Sequence, residues 1–506
     1  MRQGFDVTPK LKKFSTHMTR KLSLTLCLVA AIAIVAAPIK TKQIMTSDSH
    51  NIMVISDIHL LAPELHDVGT AAQRLAQADM KMTLMSDLIM QRVVEQAIER
   101  HTQLLLITGD LTYNGARASH LRLATHLSQL QQHGVRVLVI PGNHDINCPN
   151  ARSYHGTKAE RVETVTRDEF TQIYADYGYS GHTRRDTASL SYACEPLPGV
   201  VVLGIDSNRD EENRLLQRGD SADVYHNGGR VKPATLLWLR DQATEARSQG
   251  KCVIAMMHHH LLEHIDGEAR FLPNYIVANH DQVAQTMAEC GVRVVLTGHL
   301  HITDAVTDGT LTDVATGSAS MWPMPVRWMT LDTKQGTLQV STTGIELPEA
   351  MQQQARERVE RSTTILAGVI ANRLWARMQP QLDKMKQMLA MQGVDTAAMP
   401  QSAAQATALM LRHMQQPLTQ SLLAVTHGAE DPQQAPAIIG AIKQGVLGMV
   451  QETMPGQAQL MGPFLLENLW PRVEPMVRSA LEDRNRVGTP QESITPDHSL
   501  QLSVRL

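Results

Sequence analysis

Residues 137–145 read Val137-Leu138-Val139-Ile140-Pro141-Gly142-Asn143-His144-Asp145, a short apolar run followed at once by polar side chains. An apolar run of this length bounded by Pro and Gly predicts a buried strand. Polar residues at the carboxyl end of such a strand lie at the rim of an open α/β sheet, where these folds bind ligands. The stretch therefore predicts a functional site built on the end of a strand.

The same arrangement of an apolar run and then polar side chains occurs four more times, after the runs at 51–55, 104–107, 253–257 and 292–296. Together the five strand ends supply Asp57, His59, Asp110, Asn143, His144, His258, His299 and His301. These are oxygen and imidazole donors without thiolates, a set that suits Zn, Fe or Mn rather than Ca. Even without His144, the set exceeds the needs of one tetrahedral metal and fits two divalent ions.

The charge balance of this set favours a phosphate ligand. Asp57 and Asp110 are the two carboxylates among the predicted ligands. Two carboxylates against two divalent cations leave the site positive, even after a hydroxide bridges the ions, and a positive site stabilises the charge that develops on phosphate. The ions would also lower the pKa of bound water and so provide a nucleophile near neutral pH. The residues thus predict hydrolysis of a phosphoester.

Five motifs, taken in chain order, resemble those of the calcineurin-like metallophosphoesterase superfamily: Asp57-x-His59, Gly109-Asp110, Gly142-Asn143-His144-Asp145, His258 and Gly298-His299-x-His301. The resemblance covers about residues 50 to 345. It implies an α/β fold, a four-layer α/β/β/α sandwich around two mixed sheets. It also implies two metal positions, one held by Asp57, His59, Asp110 and His301, and the other by Asp110, Asn143, His258 and His299.

The resemblance also implies roles in catalysis. His144 would contact the substrate phosphate together with Asn143 and protonate the leaving group, and Asp145 would orient His144. The implied reaction is hydrolysis of a phosphodiester, such as a cyclic nucleotide, by attack of a metal-bridging hydroxide. The alternatives are a phosphomonoesterase or protein phosphatase, and a non-catalytic envelope scaffold that keeps the fold, because fold alone does not choose among these functions.

Three consecutive histidines, His258, His259 and His260, precede the last motif. A His-His pair in this place resembles the bacterial cyclic-nucleotide phosphodiesterase-like group, in which the first histidine is the ligand, and this implies His258. The present chain has a third histidine and lacks the prolines that usually follow. If the strand continued through the run, alternation would place His258 and His260 on one side and His259 on the other.

Residues 1–48 are interpreted as a signal sequence or an N-terminal membrane anchor. The stretch from Leu22 to Ile39 has no charged residue and is preceded by several basic ones. This pattern is typical of export signals and is just long enough for a short anchor. It predicts an exported or envelope-associated protein, periplasmic or anchored. In that setting the four cysteines after Cys27 permit two disulfides, with free buried thiols at Cys252 and Cys290 as the alternative.

The remaining chain divides by composition. Residues 49–346 form the predicted phosphoesterase domain, and 347–482, rich in Ala, Gln, Met and Leu, form a predicted accessory domain of four to six helices. The polar tail 483–506 ends in an alternating apolar pattern that predicts a terminal strand. The net charge of -3 gives no argument for a nucleic acid partner. We expect a small phosphoester substrate, and membrane contact only through the N-terminal segment; the sequence does not fix the oligomeric state.

Local patterns add further expectations. Helical spacing of apolar residues predicts one helix over 70–101. The polar stretches 146–188 and 207–231 are long for connections, and they are predicted either to contact substrate or simply to cover the site. Arg327 is long enough to reach a phosphate, but a structural role is the preferred interpretation.

Overall fold

The computed structural model describes residues 48–181, 183–215, 223–391, 396–468, 470–482 and 498–505. Nearly all of the predicted signal or anchor segment and most of the polar tail therefore lie outside the described residues. The chain from Asp48 to Leu506 forms one compact unit. Among the described helices, none combines the length and apolar character needed to span a bilayer.

The strands, numbered in chain order, are β1 Ser49–Ile55, β2 Leu104–Ile107, β3 Arg136–Val139, β4 Arg152–His155, β5 Lys158–Arg161, β6 Arg184–Arg185, β7 Tyr192–Leu197, β8 Val200–Ile205, β9 Cys252–Met257, β10 Val294–Thr297, β11 Asp304–Thr307, β12 Thr312–Ala315, β13 Pro325–Asp332, β14 Thr337–Gly344 and β15 Ser499–Ser503. The helices are α1 Thr70–Ala78, α2 Ser86–Glu99, α3 Arg117–Gln132, α4 Arg167–Ile173, α5 Pro233–Ser248, α6 Glu268–Phe271, α7 His280–Glu289, α8 Glu349–Met391, α9 Ala403–His427, α10 Ala435–Thr453, α11 Ala458–Asn468 and α12 Glu474–Ser479.

Two mixed sheets form the centre of the unit. The first has the order β15-β14-β13-β1-β2-β3, and the second has the order β11-β12-β10-β9-β8-β7-β6. Strands β1, β2 and β3 are parallel, as are β8, β9, β10 and β12, while the remaining neighbours are antiparallel. The carboxyl ends of the parallel strands thus gather at one edge of each sheet.

The alternation of strand side chains explains the layers. In β9, Ile254 and Met256 join the core that lies between the two sheets, whereas Val253, Ala255 and Met257 join a second core beneath α5 and α7. Helices α2 and α3 contribute apolar side chains to the first core from the other side. The predicted four-layer α/β/β/α sandwich is therefore confirmed, and both sheets are buried on two faces where they carry the parallel strands.

The predicted helix over 70–101 is interrupted, and this expectation was wrong. The chain leaves α1 at Asp79 in an extended conformation, forms a short 3-10 helix at Thr83–Met85, and resumes an α-helix at Ser86. The Asp79 carboxylate accepts hydrogen bonds from the Lys81 amide (3.0 Å) and the Thr83 hydroxyl (2.8 Å). Such local side-chain bonds compete with the helical ones, so the segment folds as a turn.

The C-terminal helices pack directly on the sandwich. The backbone amide of Thr303, two residues after His301, donates to the carbonyl of Val425 in α9 (3.3 Å), and the Thr303 hydroxyl donates to that of Thr426 (3.2 Å). After the helices, the alternating stretch near the end of the chain forms β15, which pairs antiparallel with β14 from Ser499 to Ser503. Residues on both sides of the proposed domain boundary thus complete the same compact unit.

The cysteines in the described residues are free. Cys148, Cys194, Cys252 and Cys290 form no disulfide, and three of them are buried. Burial raises the pKa of each thiol, to about 12 for Cys148 and Cys194, so the thiols are neutral. The two disulfides that the sequence permits are therefore not formed among the described residues, and the free buried thiols at Cys252 and Cys290 agree with the alternative interpretation.

Candidate active site

The predicted ligands come together where the parallel strands end. They follow the carboxyl ends of β1, β2, β3, β9 and β10. Their ligand atoms fall into three overlapping groups within 4.8 Å: Asp57, His59 and His301; His59, Asp110 and His144; and Asp110, His258 and His299. Asn143 joins the last group through its Oδ1, 3.1 Å from His258 Nε2.

Five of these residues have a backbone conformation that L-residues rarely adopt. Their φ angles are +52° for Asp57, +46° for His59, +47° for Asp110, +71° for His299 and +62° for His301. A non-glycine residue in the left-handed region costs on the order of 1–3 kcal/mol, and such residues concentrate at functional sites. Backbone strain at five predicted ligands is an observation independent of the motif spacing.

The glycines of the motifs leave room for the ligands. A Cβ on Gly142 would lie 2.1 Å from Asp110 Oδ1, and one on Gly298 would lie 2.5 Å from Asp57 Oδ2. Gly109, with φ +102°, would bring its Cβ within 2.5 Å of the His258 ring. These glycines are therefore required by the close approach of neighbouring ligands.

Substitution of Gly142 with Ala is expected to displace Asp110, to lower metal occupancy, and to destabilise the fold by about 1–3 kcal/mol, as overpacking does. Metal content and the thermal unfolding midpoint measure the two effects. Gly440→Ala is the matched control, because a Cβ there meets no atom within 4 Å and the position is inside α10. Wild-type metal content and midpoint in the Gly142 variant would contradict the crowding argument.

The first group contains a buried carboxylate oxygen without a hydrogen-bond donor. Asp57 Oδ2 accepts from the Ser56 hydroxyl (2.5 Å) and the His299 amide (2.9 Å), but Oδ1 has no hydrogen-bond partner. That oxygen lies 3.2 Å from His301 Nε2 and 3.8 Å from His59 Nε2. A buried carboxylate oxygen without a hydrogen-bond partner, together with two imidazole nitrogens that face it, forms a set of ligand atoms typical of a divalent metal site.

In the third group, hydrogen bonds select which nitrogen of His258 and of His299 faces inward. His258 Nδ1 donates to the carbonyl of Thr108 (2.9 Å), so Nε2 faces Asp110 Oδ1 at 3.4 Å. His299 Nε2 donates to the carbonyl of Asn274 (3.0 Å), which leaves Nδ1 as its ligand atom. Such backbone acceptors fix the tautomer of metal-binding histidines.

Asp110 lies between the first group, with His59, and the third group, with His258. Its Oδ2 is 3.6 Å from His59 Nε2 and its Oδ1 is 3.4 Å from His258 Nε2, so one oxygen faces each group. Burial alone would raise the pKa of Asp110, but the neighbouring His258 and His144 lower it well below its usual value. The residue is thus an ionised carboxylate with one oxygen toward each group, and it could serve as a ligand on both sides.

The run of three histidines separates at the end of β9. His258 alone of the three faces Asp110 and Asn143, while His259 bonds to Ser207 Oγ (2.8 Å). His260 Nδ1 bonds to Glu268 Oε1 (2.8 Å). Because β9 ends at Met257, the alternation that would put His258 and His260 on one side does not apply.

His144 is held by a residue that the sequence analysis missed. Its Nδ1 lies 2.6 Å from Asn114 Oδ1, and its Nε2 lies 3.9 Å from Asp110 Oδ2. Asp145, which was expected to orient His144, instead accepts four hydrogen bonds from the Leu111, Thr112 and Gly142 segments. Asp145 therefore holds the loops together, and Asn114 takes the orienting role.

A tyrosine from the 207–231 stretch also reaches the site. Asn143 Nδ2 donates to the hydroxyl of Tyr225 (2.7 Å), and the Tyr225 ring lies 5.9 Å from the ring of His144. The contact turns the Asn143 amide so that Oδ1 faces His258. No motif marks Tyr225, and the only sequence signal was the unusual length of the loop.

Arg327 has the structural role that was preferred for it. It is fully buried in β13 and donates to the Thr342 hydroxyl (2.7 Å) and to the carbonyls of Asp304 (3.1 Å) and Ala315 (2.6 Å). These bonds join β13 to β14 and to the second sheet, so the guanidinium is not available to a phosphate.

Comparison with known proteins supports this geometry at the level of the family. The family model for calcineurin-like phosphoesterase matches residues 50–303, half of the chain. A comparison with curated proteins gives no match.

The comparison with solved structures gives distant similarities, including the following three. A dimetal phosphatase from Danio rerio is 15% identical, with 59% of this chain and 96% of that chain covered and a TM-score of 0.41. A purple acid phosphatase from yellow lupin is 10% identical, with 59% and 52% covered and a TM-score of 0.37. A phosphopantetheinyl hydrolase from Mycobacterium tuberculosis is 12% identical, with 54% and 91% covered and a TM-score of 0.28. The chain spans about half the length of the lupin enzyme, and similarities this distant do not indicate a shared substrate.

Proposed function

Because the chain belongs to the calcineurin-like phosphoesterase family, we propose that it hydrolyses a phosphodiester, with a cyclic nucleotide as the example. The observation that carries the proposal is the position of Asp110 between two clusters of metal-ligand type. The diester preference is supported by the His258-His259-His260 run before Gly298-His299-x-His301, which resembles the cyclic-nucleotide phosphodiesterase-like group.

The described residues fit two divalent ions, because a buried unpaired carboxylate oxygen and oriented imidazoles face each other. One ion would be held by Asp57, His59, Asp110 and His301, and the other by Asp110, Asn143, His258 and His299. When bound, the ions, Mn, Fe or Zn, would lower the pKa of a water nucleophile and stabilise charge on the phosphate.

His144 supplies the proton for the leaving group. With Nδ1 hydrogen-bonded to Asn114, its Nε2 faces the space beside Asp110. Burial lowers the pKa of His144, while the Asp110 charge opposes that effect. An anionic phosphate next to Nε2 favours the protonated imidazole further, so binding of substrate prepares the acid that the reaction needs.

The proposal is tested by hydrolysis of bis-p-nitrophenyl phosphate and p-nitrophenyl phosphate by protein from residue 45 onward. Mn, Zn or Fe is added back after chelation. Metal-dependent cleavage of the diester supports the proposal, and cleavage of the monoester alone replaces it with a phosphomonoesterase or protein phosphatase. Two bound metals without turnover of either ester would favour a non-catalytic scaffold.

Tyr225→Phe is expected to lower kcat about 10-fold while both metals stay bound. The reason is that the Asn143 amide loses the acceptor that orients it, an effect of the size seen for residues that support metal ligands. Steady-state kinetics and metal analysis measure the outcome. Tyr275→Phe is the matched control, because its ring lies 4.9 Å from the His299 ring and no hydrogen bond of its hydroxyl appears within the described residues. Wild-type kcat in the Tyr225 variant would remove this role.

The proposed cellular location, exported or anchored to the membrane, rests on the N-terminal segment. The apolar, uncharged stretch from Leu22 to Ile39 is proposed to direct export and to be cleaved or kept as an anchor. Fractionation of cells that express the full chain, with and without residues 1–44, checks this. Equal recovery of both forms in the cytosol would end the export proposal.

A further inference from the structure

Lys81 lies near the predicted metal centre, on the turn that interrupts the expected helix. Its ammonium is 3.2 Å from Asp79 Oδ1 and 5.8 Å from the centroid of the Tyr113 ring. The Tyr113 ring in turn lies 6.5 Å from the ring of His59. The Lys81 side chain is only 16% exposed, so its charge is held against the protein rather than extended into solvent.

The charge of Lys81 lies within range of the centre. The Lys81 ammonium and the His59 ring both approach the Tyr113 ring, so at most about 12 Å separates the ammonium from the centre of the imidazole. Because the Lys81 side chain is mostly buried, solvent screens its charge weakly. An anion bound beside His59 is therefore attracted by this charge.

Hydrogen bonds from two other segments fix the turn. The Met82 amide donates to the carbonyl of Ser320 (2.6 Å). The Arg358 guanidinium, on α8, donates to the carbonyls of Ala76 (2.5 Å) and Lys81 (3.4 Å). Helix α8 therefore supports the backbone that carries this lysine.

The Lys81 ammonium can donate hydrogen bonds to more than one acceptor. An ammonium carries three N–H groups, and in the part of the chain that the structure describes its carboxylate partner is Asp79. Lys251 offers a comparison, since it pairs with Glu195 at 2.7 Å but precedes β9, at the opposite end of the strand from His258. Lys81 and Lys251 are both ion-paired, but of the two only Lys81 lies near the predicted metal centre, where it could contact a bound anion.

We propose that Lys81 binds a second anionic group of the substrate, beside a phosphate at the predicted metal centre, and that α8 positions it through Arg358. The inference rests on the proposed function, because it takes the reacting phosphate to lie at that centre. It narrows the substrate to phosphodiesters with at least two negative charges. A cyclic mononucleotide lacks the second charge and a cyclic dinucleotide has it.

The test is calorimetric binding of phosphonates to the full chain loaded with Mn. Phosphonoacetate, 3-phosphonopropionate and 4-phosphonobutyrate carry a carboxylate at increasing distance from the phosphonate. Methyl-, ethyl- and propylphosphonate are their matched partners without it. At least one of the carboxyl-bearing phosphonates is expected to bind about 10-fold more tightly than the matched alkylphosphonate. The chain length of the compound with the largest preference indicates the distance from the metal centre to Lys81.

Lys81→Gln is expected to abolish that preference, while Lys81→Arg retains part of it and Lys251→Gln all of it. Arg358→Met is expected to reduce the preference without loss of metal. If wild-type protein binds all the phosphonates but shows no carboxylate preference, or if Lys81→Gln keeps the preference, the assignment of Lys81 is wrong and the proposed function stands. If the Mn-loaded chain binds no phosphonate at all, the proposed function fails, and this inference fails with it.

Discussion

Asp110→Asn is expected to lose both metals and to lower phosphoesterase activity on the order of 10³-fold, the size seen when a charge-stabilising group is removed. The two oxygens of Asp110 face the two ligand clusters at 3.6 Å and 3.4 Å from His59 and His258. An amide keeps only one good acceptor and no charge, so both positions would lose the charge of Asp110, and the position formed with Asn143, His258 and His299 would have no carboxylate left. Metal content per chain after dialysis, with turnover of the diester, measures the effect.

Asp57→Asn is the matched control for that experiment. Asp57 faces His59 and His301 in the first cluster only, so its variant is expected to lose one metal and keep the other. Asp281, which is 97% exposed, gives a second control that is expected to keep both. One metal retained by Asp110→Asn would mean that the carboxylate serves a single ion.

His144→Ala is expected to keep both metals and to lose 10²- to 10⁴-fold in turnover of esters with poor leaving groups, the usual contribution of a general acid. For p-nitrophenyl esters the loss is expected to be much smaller, because nitrophenolate leaves without a proton. The dependence of kcat on the pKa of the leaving group measures the difference. Undiminished activity of the variant on an alkyl ester would end the assignment.

Asn114→Ala separates orientation from proton transfer. It leaves the imidazole in place but removes the acceptor 2.6 Å from His144 Nδ1, so a smaller loss of the same leaving-group character is expected. His133→Ala, an exposed histidine at the end of α3, controls for loss of an unrelated imidazole.

The parts of the site that the sequence predicts are those that depend on strand ends. Asp57, Asp110 and His258 each follow an apolar run, and parallel strands bring their carboxyl ends together, so local pattern is enough to place them. The two mixed sheets were implied by the resemblance to the calcineurin-like superfamily rather than by this pattern. Period-two alternation in β9 then divides its side chains between two cores, as expected for a strand covered on both faces.

The parts that were missed depend on contacts between distant segments. Tyr225 reaches Asn143 across 82 positions, and nothing local distinguishes it from other tyrosines. The helix expected over 70–101 is interrupted for a local reason instead. The Asp79 side chain accepts a hydrogen bond from a backbone amide and so competes with the helical hydrogen bonds. The role of Asp145 was inferred from the family resemblance alone. Its carboxylate accepts four hydrogen bonds from other segments, and it is Asn114 that forms the hydrogen bond with His144.

The pairing of β15 with β14 affects how the gene can be divided. A fragment that ends at residue 346 lacks β15, and it would expose the backbone donors and acceptors of β14 along a bare sheet edge, the kind of edge that promotes aggregation. It would also lack the Val425 carbonyl that receives the Thr303 amide next to His301. The phosphoesterase portion is therefore not expected to be a stable fragment when it is expressed alone. Truncated or chimeric forms of the protein should keep the chain through β15.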